Sequence, residues 1–376
     1  MNKGLSIAYI ATFFLIITAS AIAIIALPKR DFSEFENRVL ESSIDFSLDS
    51  IKEGEFSKNV DNFLNDQFPF RDEAVTLKNC ISYLMGAREF NGIYIADKNY
   101  LIESYKDSDF ANKRIKGNAK KVARFVNLVG ENLGYDHVKC VTIPSKITIY
   151  DDYLPANAVT STRQTYMKKT LISKLDKPDE TYIDLTDALK EHKDEYIYYR
   201  TDHHWTSLGA AYAYQAITGG SIDYDSEVVA DDFYGTDYNK VHLASKADEI
   251  TKYNIPAADS TLVDIPTENK TNEPLYHEDA LKTHDKYTYF LNGNYQQLLL
   301  HTGTKNGKTL ILIKDSYSNS LVPFLANDYE TILMIDLRYA TEGVLSYVEK
   351  LGSFDDFMII YNEEKFMKDS HQDFLE

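Results

Sequence analysis

Two short segments of this chain carry side chains that together would make a nucleophilic catalytic set. The first is Thr201-Asp202-His203-His204-Trp205, and the second is Lys314-Asp315-Ser316-Tyr317. Asp202 and His204 are two residues apart, and on extended backbone such residues project to the same side. The carboxylate would then orient the imidazole and stabilise the imidazolium that forms when histidine acts as a general base.

Ser316 is the candidate nucleophile. It follows the apolar run 310–313 directly and precedes a helix-like stretch. Reactive groups in open parallel sheets collect at the carboxyl ends of strands, and the N–H groups at a helix start favour a developing negative oxygen. Serine is also a common helix N-cap, so Ser316 alone predicts no catalysis. Its occurrence in one predicted sheet with the Asp-x-His element favours a Ser-His-Asp set.

The elements that would position these residues follow from the hydrophobic pattern. An apolar run at 138–143 and short continuous apolar runs at 310–313, 331–335 and 357–360 alternate with segments of helical periodicity. Such runs are typical of parallel strands that helices cover on both faces. The predicted fold is therefore α/β, a three-layer α/β/α sandwich with a mainly parallel sheet. Residues 218 to about 286 are acidic with little periodicity, which predicts an insertion or long loops over one face.

The amino-terminal segment predicts a membrane anchor. No charged residue occurs from Leu5 to Leu27. As a helix this stretch would be about 34 Å long, enough to span a ~30 Å hydrocarbon core. A cleavable signal usually has a shorter apolar region of roughly 7–15 residues, so an uncleaved anchor is favoured, although Ala19-Ser20-Ala21 would also suit a signal peptidase. We expect a single-pass protein whose large domain is extracytoplasmic.

The predicted domain organisation has three parts. Residues 1–30 are the membrane anchor or signal segment, and residues 31–110 are a stalk with helices and a β-hairpin that pack on the main domain. Residues 111–376 form the α/β domain with its insertion.

Charge and cysteine content exclude several classes of function. The chain has 40 Lys and Arg against 58 Asp and Glu, a net charge of −18 at pH 7. Neither this total nor a local Lys/Arg cluster supplies the basic footprint of a nucleic-acid binder, so no nucleic-acid partner is predicted. A strongly anionic substrate is also disfavoured, unless Arg200, Lys146 or Lys314 create a local positive site. Cys80 and Cys140 lack the spacing of metal or redox motifs, and no metal or cofactor is predicted.

The two catalytic segments and three further motifs resemble the DHHW protein family. The further motifs are Glu36-Asn37-Arg38, Asp66-Gln67-Phe68-Pro69-Phe70-Arg71 and Ile143-Pro144-Ser145-Lys146. That family resembles the SGNH-hydrolase-like alginate O-acetyltransferases of the AlgJ and AlgX type. The resemblance covers most of the chain outside the membrane segment. It implies an SGNH-hydrolase-like fold with Ser316 as nucleophile, His204 as base and Asp202 as the orienting group.

Other residues near the two segments are candidates for binding the substrate or an oxyanion. Lys314 stands where SGNH enzymes usually have Gly, and their separate oxyanion donors are best matched here by Asn292-Gly293-Asn294, which also suits a simple turn. His203, on extended backbone, should point away from Asp202. The candidates in full are His203, Trp205, Arg200, Asp315, Tyr317, Asn292, Asn294 and Lys146.

The leading hypothesis is a membrane-anchored SGNH-like acyltransferase or esterase that acts on O-acetyl groups of a cell-envelope polysaccharide. The resemblance also suggests a membrane-bound partner that donates acyl groups. Two alternatives remain open. A non-catalytic surface protein of the same fold would bind glycan or assemble an envelope complex. A metal-dependent phosphoesterase would need ligands beyond Asp-His-His, for which His242, His277, His284 and His301 are available without a recognisable ligand motif.

Overall fold

The computed structural model of the chain describes residues 3–33, 38–44, 46–52, 54–243 and 245–375, so Glu36 and Asn37 of the first motif lie outside it. The α-helices of these residues are α1 (Lys3–Ala26), α2 (Leu48–Lys52), α3 (Glu55–Asp66), α4 (Arg71–Leu84), α5 (Asn112–Leu133), α6 (Lys146–Ile149), α7 (Arg163–Ile172), α8 (Pro178–Thr181), α9 (Thr186–Lys190), α10 (Ser207–Thr218), α11 (Thr236–Val241), α12 (Pro256–Asp259), α13 (Ser318–Leu325), α14 (Val344–Leu351) and α15 (Glu363–Lys368).

The strands of the described residues are β1 (Phe32–Ser33), β2 (Arg38–Val39), β3 (Glu89–Phe90), β4 (Ile93–Ile95), β5 (Leu101–Glu103), β6 (Val138–Ile143), β7 (Tyr182–Asp184), β8 (Ser226–Phe233), β9 (Asp248–Tyr253), β10 (Leu262–Ile265), β11 (Lys270–Pro274), β12 (Gln297–His301), β13 (Thr309–Lys314), β14 (Thr331–Ile335) and β15 (Asp356–Asn362).

The chain separates into two compact units. The smaller comprises residues 1–90 with 239–244, and the larger comprises residues 91–238 with 245–376. The smaller unit contains α1, which is long and apolar enough to cross a membrane. The hairpin of β4 and β5 groups with the larger unit. The division that the sequence suggests near residue 110 stays a prediction.

The larger unit is built around an eight-stranded sheet in the order β11-β10-β12-β14-β13-β15-β6-β7. The strands from β14 to β7 in that order run parallel, and β12, β10 and β11 add antiparallel strands at one edge. The four apolar runs of the sequence form β6, β13, β14 and β15, whose side chains are almost all buried. Helix α5 packs with α7 and α15, and α10 packs with α13. The predicted α/β class with a mainly parallel sheet is confirmed.

The segment from 218 to about 286 contains more regular structure than the predicted loops. It forms an antiparallel pair of β8 and β9, and it supplies β10 and β11 to the central sheet. The pattern hid these strands because β8 and β11 are largely exposed and therefore polar. Register shifts within both pairings also break the two-residue alternation that identifies a strand.

Helix α5 places several cations on one surface. Its buried face carries apolar side chains, and its exposed positions include the cations Lys113, Arg114, Lys116, Lys120 and Arg124. These residues are spread through the sequence at helical spacing rather than in one run. The helix brings them onto a single exposed surface in an otherwise acidic protein.

Both cysteines are free thiols. Cys140 lies in strand β6 of the eight-stranded sheet, where burial raises the pKa of its thiol to about 12. A buried thiol with so high a pKa is a poor nucleophile and a poor metal ligand, as expected for a packing residue.

Candidate active site

The segment from Thr201 to His204 is a series of bends rather than an extended strand. It lies between an isolated bridge of Tyr198 with Trp205 and the start of α10, where Thr206 Oγ1 accepts a hydrogen bond from Gly209 N at 3.3 Å. The bends bring both histidines to Asp202. The expectation that His203 points away from Asp202 is therefore wrong, since its Nδ1 lies 3.8 Å from Asp202 Oδ1.

Asp202, His204 and Ser316 form a continuous hydrogen-bonded chain. His204 Nδ1 lies 2.6 Å from Asp202 Oδ1, and His204 Nε2 lies 2.7 Å from Ser316 Oγ. All three side chains are buried, and Ser316 is 6% exposed. With Nδ1–H donating to the carboxylate, Nε2 is an acceptor for the serine hydroxyl. The arrangement can remove a proton from Ser316 as its oxygen attacks an electrophile.

The position of Ser316 follows from the end of β13. The strand ends at Lys314, and Ser316 occupies the turn before α13. Asp315 holds this turn, because its carboxylate accepts hydrogen bonds from Tyr317 N at 3.0 Å and from Asn362 N at 2.7 Å. Burial raises the pKa of Asp315. Asp315 was a substrate-binding candidate. The structure shows it fully buried, with its carboxylate hydrogen-bonded to the backbone at this turn.

Trp205 and Tyr317 join the two catalytic segments to each other. Trp205 Nε1 donates to Tyr317 O and to Ser320 Oγ, both at 3.0 Å. In the opposite direction, Tyr317 OH donates to His203 O at 2.6 Å. These bonds connect the backbone beside each candidate catalytic residue to the other segment. Both aromatic side chains are thus held within the protein by hydrogen bonds, and contact of either with a substrate stays a prediction.

Trp205→Phe tests this positioning role. The change keeps an aromatic ring but removes the N–H that holds Tyr317 O and Ser320 Oγ. We expect kcat for an acetate ester to fall roughly tenfold, because small displacements of a nucleophile are costly, and the free energy of unfolding to fall by about 1–3 kcal/mol for the buried acceptors left without a donor. Tyr214→Phe, a buried α10 aromatic that packs on Phe324, is the control. A destabilised Trp205→Phe with full kcat would contradict positioning.

Two residues that sequence reasoning missed surround the Asp202 carboxylate. Asp202 Oδ2 accepts hydrogen bonds from Thr236 N at 2.8 Å and Thr236 Oγ1 at 2.9 Å. Gly235 lets this loop approach, because a Cβ there would lie 2.2 Å from Asp202 Cβ. Both residues belong to the segment predicted as an insertion, and no spacing in the sequence connects them to Asp202.

The groups that contact Asp202 hold the pKa of its carboxyl low. Burial by itself raises the pKa of the Asp202 carboxyl. The His203 and His204 imidazoles and the hydrogen bonds outweigh burial and hold the pKa well below its usual range. Burial, and then the neighbouring His204, lower the pKa of His203 well below its ordinary value. His203 Nδ1 lies 2.7 Å from Thr236 Oγ1, so His203 packs over the loop that holds Asp202.

Tyr287 is a third site residue without a sequence signal. Its ring stacks on the His204 imidazole with centroids 4.0 Å apart and planes 11° apart. Its hydroxyl donates to Ser316 O at 2.9 Å and lies 3.2 Å from Ser320 Oγ. One tyrosine therefore restrains both the base and the backbone of the candidate nucleophile.

Lys146 and Arg200 make contacts that hold the backbone near Asp202. Lys146 Nζ donates to Tyr199 O at 3.1 Å, to Asp202 O at 2.7 Å and to Asp237 Oδ2 at 2.8 Å. Arg200 N donates to Asp248 Oδ1 at 2.7 Å. The Arg200 guanidinium lies over the rings of Tyr196 and Tyr100, 4.3 and 5.7 Å from their centroids. Lys146 thus fixes the backbone at Asp202.

Replacing Lys146 by Met is expected to destabilise the protein strongly, because it removes the buried cation that lies 2.8 Å from Asp237 Oδ2. Breaking such a pair costs about 3–5 kcal/mol, which lowers the thermal midpoint by roughly 5–10 °C. The control is Lys193→Met, which removes an exposed pair with Asp152 at 2.7 Å and should cost at most about 1 kcal/mol. Equal midpoints for the two variants, by thermal unfolding of the full chain in detergent, would refute this role.

Lys314 and the Asn292–Asn294 segment form a separate polar network. Lys314 Nζ donates to Asn294 Oδ1 and Asn319 Oδ1, both at 2.8 Å, and lies 3.6 Å from Asp336 Oδ2. Burial lowers the pKa of Lys314 to about 8, although Asp336 opposes the shift. Asn292 is a turn residue with φ of 55°. The structure places Asn294 against Lys314, and the role of both asparagines as oxyanion donors stays a prediction.

Among the described residues, one group has the composition of a metal site, and it shares Asp202 and His204 with the hydrogen-bonded chain that ends at Ser316. Ligand atoms of Asp202, His203 and His204 lie within 4.8 Å of one another. Asp202 and His204 already hydrogen-bond with each other, and the remaining contacts go to Ser316 and Thr236. His242, His277, His284 and His301 are not members of this group. The donor set therefore fits a hydrogen-bonded triad better than it fits a metal.

Comparison with known proteins gives relatives of the same fold. No curated protein matches the chain. A DHHW family protein from Eubacterium siraeum is 23% identical with a TM-score of 0.58, over 76% of this chain and 95% of that one. Bacillus cereus PatB1, solved with a sulfonyl adduct, is 19% identical with a TM-score of 0.60, over 76% and 98%. The O-acetyltransferase domain of Pseudomonas putida AlgJ is more distant, at 14% and 0.45, over 74% and 93%.

The family model of the DHHW protein matches residues 103–335, which include the whole Asp202 segment and Ser316. The match covers more than half of the chain, and the solved DHHW protein shares its fold. This protein therefore belongs to the DHHW family.

Proposed function

We propose that this protein is a membrane-anchored, extracytoplasmic acyltransferase or esterase that acts on O-acetyl groups of a cell-envelope polysaccharide. The observation that carries the proposal is the hydrogen-bonded chain from Asp202 through His204 to Ser316. The motif resemblance to the alginate O-acetyltransferase type supports acetyl as the group and polysaccharide as the substrate. Helix α1 supports attachment to a membrane.

The proposed reaction has two halves. In the first, Ser316 Oγ attacks the carbonyl carbon of an acetyl ester while His204 Nε2 takes the hydroxyl proton. The tetrahedral intermediate collapses, the alcohol of the donor leaves with the proton from His204, and acetyl-Ser316 remains. Asp202 stabilises the transient imidazolium through Nδ1–H. The backbone N–H of Ser316 would bind the oxyanion.

In the second half, the acceptor hydroxyl loses its proton to His204 and attacks the acetyl carbonyl. Collapse of the second intermediate returns the proton to Ser316 Oγ and releases the acetylated acceptor. A sugar hydroxyl as acceptor makes the protein a transferase, and water makes it an esterase. A membrane-bound partner that supplies the acyl group belongs to the transferase form of this proposal.

The test uses the full chain in a non-ionic detergent with an activated acetate ester. We expect acetyl-Ser316 to accumulate and to be detectable by mass spectrometry of the Ser316 peptide. Soluble oligosaccharides from the envelope should accelerate loss of the acetyl group if sugar is the acceptor. Absence of both acetylation and turnover, with glycan binding retained, would instead support the non-catalytic alternative. Hydrolysis of a phosphate ester that chelation abolishes, without acetate-ester turnover, would support the metal-dependent phosphoesterase and overturn the serine mechanism.

A further inference from the structure

Two adjoining grooves lie along helix α5 of the larger unit, away from the residues of the triad. The basic groove has a volume of about 590 Å³, and its lining is Lys120, Arg124, Asn127, Leu128, Glu131 and Lys174. The apolar groove has a volume of about 360 Å³, and its lining is Phe125, Leu128, Val129, Asn132, Leu133, Leu345, Val348, Phe354 and Phe357. Leu128 lines both grooves, so a single ligand can occupy them together.

The basic groove contains three cationic side chains, and the two backbone segments that carry them are hydrogen-bonded to each other. Lys120 and Arg124 are one turn apart on α5, and Lys174 comes from the turn after α7. Asn127 fixes that turn against α5, because its Nδ2 donates to Lys174 O and its Oδ1 accepts from Asp176 N, both at 3.1 Å. Glu131 brings one carboxylate at the other end of the lining. In a protein of net charge −18, this groove is a local positive site.

The apolar groove lies between α5, α14 and the start of β15. Every lining side chain except Asn132 is aliphatic or aromatic. The Phe125 and Phe357 rings are both buried, with centroids 5.5 Å apart, whereas Leu128 and Leu345 are 44% and 46% exposed. A groove of this composition leaves apolar surface in water, and burial of that surface by a hydrocarbon chain would be favourable.

We propose that the two grooves form one binding site for an anionic lipid. The phosphate of the lipid lies against Lys120, Arg124 and Lys174, and an aliphatic chain passes Leu128 into the apolar groove. An anionic sugar polymer or a nucleic acid would match the cations but leave the apolar groove uncovered. Free phosphate would do the same. Charge in one groove and hydrocarbon in the next are the two parts of an amphiphile.

The test is photo-crosslinking of the full chain in a neutral, non-ionic detergent. The probes are phosphatidylglycerol and phosphatidylcholine that carry the same diazirine on an acyl chain, and labelled peptides are identified by mass spectrometry. We expect phosphatidylglycerol to label peptides from α5 and α14, and phosphatidylcholine to label them roughly tenfold less, because the cations select the anionic head. Equal labelling by the two lipids, or labelling confined to α1, would overturn the proposal.

Variants of the full chain distinguish loss of the cationic side chains in the groove from a general effect on folding. The triple variant Lys120→Gln, Arg124→Gln, Lys174→Gln should lose phosphatidylglycerol labelling roughly tenfold, and Leu345→Asp should lose it through the apolar groove. The matched control replaces three exposed lysines of α5 and α7 outside both linings, Lys113→Gln, Lys116→Gln, Lys169→Gln, and should label as the unchanged protein does. Equal loss in the control, or full labelling of the groove variant, contradicts the site. Complete displacement by excess inorganic phosphate would show a phosphate site and overturn the lipid proposal.

Discussion

Ser316→Ala is expected to abolish acetate-ester turnover while the protein remains folded. The change removes the oxygen that lies 2.7 Å from His204 Nε2, and no covalent intermediate can then form. In serine enzymes, loss of the nucleophile lowers kcat by about 10⁴–10⁶-fold. Initial rates with an activated acetate ester measure this effect, and labelling by a fluorophosphonate should disappear together with turnover.

Ser318→Ala is the matched control for this substitution. Ser318 is a buried serine two residues further along, and it begins α13. The side chain takes no part in the hydrogen bonds between Asp202, His204 and Ser316, so Ser318→Ala should retain the rate within a small factor. Unchanged turnover and labelling in Ser316→Ala would exclude Ser316 as the nucleophile. Equal losses in the two variants would mean that the effect comes from packing at the start of α13.

Asp202→Asn is expected to lower kcat by about 10⁴-fold with little change in overall structure. Asp202 Oδ1 accepts from His204 Nδ1, and Oδ2 accepts two hydrogen bonds from Thr236. An amide cannot accept on both sides, so its NH₂ would face either the imidazole or Thr236. If it faces the imidazole, Nδ1 becomes the acceptor and Nε2 carries the proton, which leaves no base for Ser316.

Asp248→Asn controls for the loss of a buried carboxylate. Asp248 accepts hydrogen bonds from Arg200 N and Thr201 N, both at 2.7 Å. Its substitution should lower stability and affect kcat far less than Asp202→Asn does. Measured kcat and thermal midpoints for both variants decide the matter. If Asp202→Asn stays within tenfold of the unchanged protein, or if the two variants lose kcat equally, orientation of His204 by Asp202 is refuted.

The pKa of Asp202 also predicts how its contribution to stability depends on pH. Its folded pKa is well below the unfolded value, so the native state binds fewer protons in the interval between them. The stabilisation is fully present above the unfolded pKa of about 3.9 and is lost as pH falls towards the folded pKa. The Asp202→Asn variant lacks this carboxyl. Its free energy of unfolding, measured as a function of pH, should therefore fall less in this interval than that of the unchanged protein.

Local patterns in the sequence were sufficient to predict the buried strands of the sheet and the candidate catalytic residues. Strands β6, β13, β14 and β15 are almost entirely buried, so each appears as a mainly apolar run. Ser316 follows one of these strands, and Asp202 and His204 are two residues apart. Helix α1 was also predictable from local sequence, because its stretch is both uncharged and long enough to span a membrane.

Other parts of the fold depend on contacts that no local pattern encodes. Strand β10, the edge strand β11 and the pair of β8 and β9 were predicted as an insertion or loops, because exposure and register shifts disturb the alternation that identifies strands. The side chain of His203 was expected to point away from Asp202, but the backbone bends between residues 201 and 204. Spacing predicts side-chain direction only where the backbone is regular.

The sequence by itself thus determined the class of the fold, the candidate anchor and the identity of the three candidate catalytic residues. Only the tertiary structure decided what holds those residues in place. Thr236 and Gly235 surround Asp202 from 34 and 33 positions away along the chain, and Tyr287 stacks on His204. The same holds for the α5 cations and the two grooves beside them. The physical reason is that helical and strand periodicity encode burial within one element, whereas the approach of distant loops depends on packing between elements.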